Sequence, residues 1–165
     1  MTSQVIGRED GKHILNDFVI FKLMGEAAGG RFALVEHRLA PGQLAAPIHT
    51  HQHEDEYSFV LEGDLSALLG GELVRAGPGS LVLKPRQQPH TFWNQGPGVT
   101  RILEIISPCG FEHLFEAMGE VLAASPSQSD LDALVLMAEQ RYGLTFDFSS
   151  LEVLKQKYGV ALASY

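Results

Sequence analysis

"HTHQHEDEYSFVLEG", residues 49–63, sets three of the chain's seven histidines at alternate positions. Glu54, Asp55 and Glu56 follow at once, and an alternating aromatic and β-branched run then closes on Gly63. In a strand, residues i and i+2 point to the same side. His49 and His51 therefore aim together, and Thr50 faces away. Glu56 opens the next run, whose "YSFVL" strand returns antiparallel beside the first. A third imidazole would complete a transition-metal site. His90 is the best candidate: in "GPGSLVLKPRQQPHTFWN", residues 77–94, it follows a Pro-rich turn and opens a strand, with Asn94 on its face by alternation. His53 shares their parity but belongs to the turn before Glu56, which makes it an exposed or outer-shell residue, and Glu54 and Asp55 read as a solvated turn.

From Ile14 to about Pro108 the apolar runs are short and broken by Gly and Pro, the pattern of an antiparallel sandwich or barrel. Gly70-Gly71 suits a tight hairpin between "DLSALL" and "ELVRA". After Pro108 the period becomes helical. Phe111, Leu114, Phe115, Met118 and Leu122 make one stripe. Leu131, Leu134, Val135 and Ala138 make a second, with Ser129 as its cap and Gly143 just past its end. Ser149 and Glu152 predict a capping box for a third helix, with Phe148 and Val153 at the staple positions. These stripes predict packing against the β-region. The expected organisation is one structural domain: residues 1–108 as the β-barrel with its N-terminal strands, and residues 109–165 as a helical extension packed on it.

The chain has 165 residues, 45% hydrophobic and 19% charged, which suits one ordinary globular domain. A formal net charge of −8 argues against a nucleic-acid partner. Cys109 stands alone, so no intrachain disulfide forms, and it reads as a buried or boundary thiol. "MTSQVIGREDGKH" lacks the basic start and apolar run of a signal peptide, and no apolar stretch approaches the ~20 residues of a membrane span. The expected location is the cytoplasm. His13, His37 and His113 are each alone, which favours surface or packing roles.

"GQLAAPIHTHQHEDEYSFVLEG" resembles the first cupin motif in Gly42, His49, His51, Glu56 and Gly63, with the Gly42-to-His49 interval one residue longer than the usual form. "GSLVLKPRQQPHTFWN" resembles the second in Gly79, Pro85, His90 and Asn94, but has Gln87 where the family usually has a turn glycine. The resemblance implies a mainly β fold, a cupin jelly-roll β-barrel with a short helical C-terminal extension. It also implies one divalent transition metal ion (Fe, Mn, Ni, Cu or Zn) held by His49, His51, Glu56 and His90. Cupins span many reactions, so the site must choose. Ser58, Val60 and Phe92 should point inward, with Leu81 and Leu83, or Val82 on the other parity, beside them. Such an apolar interior favours an aromatic substrate. The C-terminal helices look like those of single-domain quercetinase-like cupins. The expected function is therefore a dioxygenase acting on a flavonol or β-diketone, with Glu56 able to leave the metal and take the substrate proton. The alternatives are an isomerase or epimerase using Glu56 as base, or a barrel that binds a small molecule without turnover. Tyr57, Phe59 and Leu61 should face away from the metal, partly covered by Phe111, Leu114, Phe115 and Met118, and the remainder predicts a two-fold, sheet-mediated homodimer.

Overall fold

The computed structural model describes residues 5–163; residues 1–4, part of the stretch read as lacking a signal peptide, lie outside them. β1 (Lys12–Ile14), β2 (Val19–Leu23) and β3 (Ala33–Leu39) come first. β4 (Gln43–Leu44), β5 (Ile48–His51) and β6 (Asp55–Glu62) carry the histidine-rich stretch. β7 (Leu65–Leu69) and β8 (Glu72–Ala76) form the expected hairpin, with Gly70 and Gly71 at φ 58° and 90°. β9 (Leu81–Lys84), β10 (His90–Asn94) and β11 (Thr100–Ser107) complete the jelly roll. α1 (Glu112–Ala123), α2 (Gln128–Tyr142), β12 (Leu144–Asp147), α3 (Ser150–Tyr158) and β13 (Ala161–Leu162) follow. No helix among the described residues is long and apolar enough to cross a membrane.

One sheet runs β1-β2-β3-β11-β6-β9. The other runs β12-β5-β10-β4-β13, and β7 and β8 extend it from the opposite edge of β10. Val35, Val60, Ile102 and Ile106 of the first sheet join Ala67, Phe92 and Leu144 of the second in one core. Among the described residues the ladders do not close into a continuous cylinder, so the barrel is two facing sheets. Alternation decides who points inward. Ser58, Val60 and Phe92 are buried as expected, and Val82 is buried while Leu81 and Leu83 are 51% and 55% exposed.

The helical extension departs from its expected placement. Phe111, Leu114, Phe115 and Met118 do not cover the outer face of β6; they line the space between the sheets. Ser127, not Ser129, caps α2: its hydroxyl accepts from the Asp130 amide, and the Asp130 carboxylate accepts from the Ser127 amide. Gly143 ends α2 in the left-handed conformation, as its place after the stripe predicts. The box at Ser149 and Glu152 does not form. Asp147 lies two residues upstream and takes the Ser149 hydroxyl at 2.5 Å, while Phe148 and Val153 stay exposed. Ser150 does the anchoring instead: its buried hydroxyl accepts from the Ile48 amide and donates to the Asp147 carbonyl. β12 carries no strand signal of its own in the sequence. It pairs along β5, with Leu144 opposite His51 and Phe146 opposite His49.

The outer face of the first sheet has two halves. Phe59, Leu61, Leu81 and Leu83 form an exposed apolar half. On the other half, the buried Glu36 accepts from Arg38 Nε and Arg101 Nε, each at 2.8 Å, with Lys22 Nζ at 3.3 Å. Burial raises the Glu36 carboxyl, but Arg101, Arg38 and Lys22 outweigh it and bring its pKa down to about 2. An unfolded glutamate titrates near ~4.3, so this cluster stabilises fully above that pH and loses its contribution as pH falls toward the folded value. Glu36→Gln should therefore cost roughly 2 kcal/mol at pH 7. The gap in melting temperature between wild type and variant should narrow steadily as the pH is lowered from 5. A gap independent of pH would show that the charge of Glu36 contributes nothing.

Candidate metal centre

β5 and β10 are neighbours, with His90 opposite His49 in register. Glu56 enters from the facing sheet on β6, which pairs with β9 and β11 and not, as expected, beside β5. Three imidazoles thus come from one wall and the carboxylate from the other. All four side chains are buried, and each offers a donor atom within 4.8 Å of the others. Glu56 Oε2 lies 3.1 Å from His90 Nε2 and 3.4 Å from His51 Nε2. Gln87 adopts φ 64°, so the turn keeps the glycine conformation without glycine, and its amide donates to the His51 carbonyl at 2.7 Å. Asn94 is buried but plays another part: its amide bridges the Leu39 and Gly98 carbonyls and accepts from the Gly96 amide.

His49 Nδ1 donates to the Pro47 carbonyl at 2.9 Å, which leaves its Nε2 lone pair free for an ion. His90 faces an acceptor with each nitrogen, the Gln88 carbonyl at 3.1 Å from Nδ1 and Glu56 Oε2 at 3.1 Å from Nε2. Burial first, then the neighbouring rings, pushes the His49 pKa well below the usual imidazole value. Burial also lowers His90, against the pull of Glu56. Both rings are therefore neutral, the form that binds metal. Neither nitrogen of His51 has a hydrogen-bond partner among the described residues, though Nδ1 lies 3.5 Å from Glu54 Oε2. Glu54 is thus no part of a solvated turn; it is buried behind His51. Asp55 opens β6 and holds Arg86 through both oxygens, while His53 stays exposed. Orphaned imidazole nitrogens among three buried histidines and one carboxylate fit a divalent transition ion.

Beneath the donor set lies a charged row that the expected apolar interior did not include. Lys84 Nζ is 3.2 Å from Glu56 Oε2 and 2.7 Å from Glu104 Oε2, and Ser58 donates to Glu104 at 2.8 Å. Burial works against the charge on Glu56, yet Lys84 and the histidines hold its carboxyl well below the usual range. Glu104 loses that competition, and burial pushes it up to about 7 despite Lys84. Burial opposes the Lys84 charge too, but Glu104 and Glu56 raise its pKa. The sequence did hold a signal for this row: Lys84 shares the parity of Val82, and Glu104 that of Ile102 and Ile106.

A cavity of about 730 Å³ reaches His49 and Glu56. Both predicted helical stripes face it, including Leu114, Phe115 and Met118 of α1 and Leu134 and Val135 of α2. The Phe111 ring stands edge-on to His51 at 4.5 Å. No Lys or Arg lines the cavity among the described residues; Asp132 and Glu139 sit at its exposed rim. Of the other histidines, His13 pairs with Asp17, and His113 with Glu26 and Glu116. Burial raises the pKa of the partly buried Cys109 thiol, which disfavours its thiolate form.

Residues 35–106 match the family model described as "Cupin domain". No curated protein matches the sequence. A putative sugar phosphate isomerase from Acidithiobacillus ferrooxidans is similar at 26% identity and TM-score 0.50, over 65% of this chain and 73% of that one. A predicted oxalate decarboxylase from Thermotoga maritima shares the fold at 22% identity and TM-score 0.52, over 55% of this chain and 78% of its own. KdgF from Halomonas sp. does so at 17% identity and TM-score 0.51, over 63% and 99%.

Removing the ammonium from the charged row leaves two buried carboxylates uncompensated. Lys84→Met should destabilise the metal-free protein by roughly 3–5 kcal/mol in urea unfolding. Adding Glu104→Gln should recover part of that loss. Strictly additive effects of the two changes would show that Lys84 and Glu104 are not coupled.

Proposed function

We propose, from the match of residues 35–106 to the cupin-domain model, that the chain is a metal-dependent cupin oxygenase, with one divalent transition ion (Fe, Mn, Ni, Cu or Zn) held by His49, His51, Glu56 and His90. The observation that carries this reading is the apolar cavity ending on the donor set. Its walls suit a small aromatic or diketone substrate and offer no cation to an anionic one. When bound, the ion supplies Lewis acidity, lowering the pKa of a ligated phenol or enol. Glu56, ionised beside Lys84, takes the released proton. Its depressed pKa restricts it to acidic protons of this kind. Phe111 and the two helical stripes keep water from the ring being oxidised. Both atoms of dioxygen enter the substrate, which supplies the electrons itself, so no other reductant is needed.

The second reading is an isomerase with Glu56 as base, favoured by the likeness to the putative sugar phosphate isomerase. The absence of Lys and Arg from the described cavity lining argues against a phosphorylated substrate. Oxygen uptake with quercetin and with pentane-2,4-dione, on protein of measured metal content, separates the two. Wild type should consume oxygen; His90→Ala should lose most metal and all uptake. Glu56→Gln should keep part of its metal and lose turnover about 100-fold or more. No uptake with any of the five metals would overturn the oxygenase reading, and undiminished uptake in Glu56→Gln would remove its role as base.

We further propose residues 1–108 and 109–165 as one structural unit that pairs with a second copy through Phe59, Leu61, Leu81 and Leu83. These side chains lie exposed on neighbouring strands, and the helices expected to cover them serve the cavity instead. Light scattering at micromolar concentration should give twice the mass of one chain, and Leu83→Lys should halve it. A wild-type monomer would sink the pairing.

A further inference from the structure

The cavity wall holds one buried polar side chain outside the metal donor set among the described residues, His37. It projects from β3, in the sheet facing the three metal-site imidazoles. Rings of Phe18, Phe92 and Phe115 surround it, with centroids 5.1, 5.8 and 5.4 Å away, so its plane is fixed. The Phe18 backbone takes a hydrogen bond from the ring. Nδ1 has no partner among the described residues, so Nε2 is the donor and Nδ1 keeps a lone pair. A buried acceptor without a partner is costly, and native proteins keep few of them. Protonation is not its use: burial first, then the Lys84 charge, holds the ring near pKa 3.

Resting on the reading of this cavity as the substrate site, we propose that His37 Nδ1 accepts a hydrogen bond from a hydroxyl of the bound molecule. The substrate is then a neutral, largely aromatic compound with two oxygen functions: one reaches the metal donors on β5 and β10, and the other, bearing hydrogen, is read by His37. This makes His37 a specificity residue. A pocket built to hold a hydroxyl rejects the analogue that lacks the proton, because the acceptor is then left bare.

The test uses 2-naphthol and 2-methoxynaphthalene as probes, titrated by fluorescence into metal-free and zinc-loaded full-length protein. Wild type should prefer 2-naphthol by about fivefold to tenfold. His37→Leu and His37→Phe, which both lack the acceptor, should bind the two probes equally and keep the wild-type affinity for 2-methoxynaphthalene. His37→Gln, whose carbonyl can accept, should restore part of the preference. Both acceptor-free variants lose the bond to Phe18, whose carbonyl keeps the Arg38 amide, so any fall in melting temperature should be the same in the two. A preference that survives in them would overturn the proposal and place the hydroxyl at Glu56 or at a bound water. Equal weakening of both probes with a fall in melting temperature would make His37 a packing residue only. If neither probe binds wild type, the cavity is not the substrate site; if both bind and the preference ignores His37, the cavity reading stands and this assignment falls.

Discussion

A carboxylate can face three imidazoles inside a protein only if its charge is balanced nearby. Lys84 does this from the adjacent strand, directly opposite Glu56 in register. Its ammonium lies between Glu56 and Glu104 and over the Phe92 ring at 4.3 Å, which belongs to the opposite sheet. The ionised state of Glu56 depends first on that single buried cation. A shift of β9 by one residue would turn Lys84 outward and Leu83 inward, and the donor set would lose its counter-charge.

The other half of the site comes from the C-terminal part of the chain. α1 and α2 turn the two-sheet frame into a cavity, and β12 covers the edge of β5 on which His49 and His51 sit. Gly143 sits where these pieces meet. A side chain there would meet Gln52 Cβ at 2.8 Å and His53 Nε2 at 2.9 Å. The chemistry of the donor set is thus local to strands, whereas the shape of the space in front of it belongs to helices far along the sequence.

What could be read in the sequence follows the same division. The parity of His49, His51, Ser58 and Val60 was legible because strand alternation is local. The helical stripes were legible for the same reason, but not the surface they would meet. Their apolar faces suit an outer sheet and an inner cavity equally well. Glu54 reads as a solvated turn in sequence because nothing local shows that its side chain folds back toward His51. β12 itself is four residues between two helices, too short for periodicity to separate it from a helix end. Local competition decides the caps of α2 and α3: Asp130 makes Ser127 the better box, and Asp147 draws off the Ser149 hydroxyl.

The pairing of β5 with β12 joins residues 48–51 to residues 144–147. Closing so long a loop carries a large entropic cost before any contact compensates it, so this ladder forms late relative to hairpins such as β7–β8. During synthesis the histidines emerge well before the strand that shelters them. The order of events is therefore set by the chain: imidazoles first, open to any ion in solution, and the enclosing wall afterwards. The enclosing wall is therefore the last part of the site to form, because it waits for residues made long after the histidines it covers.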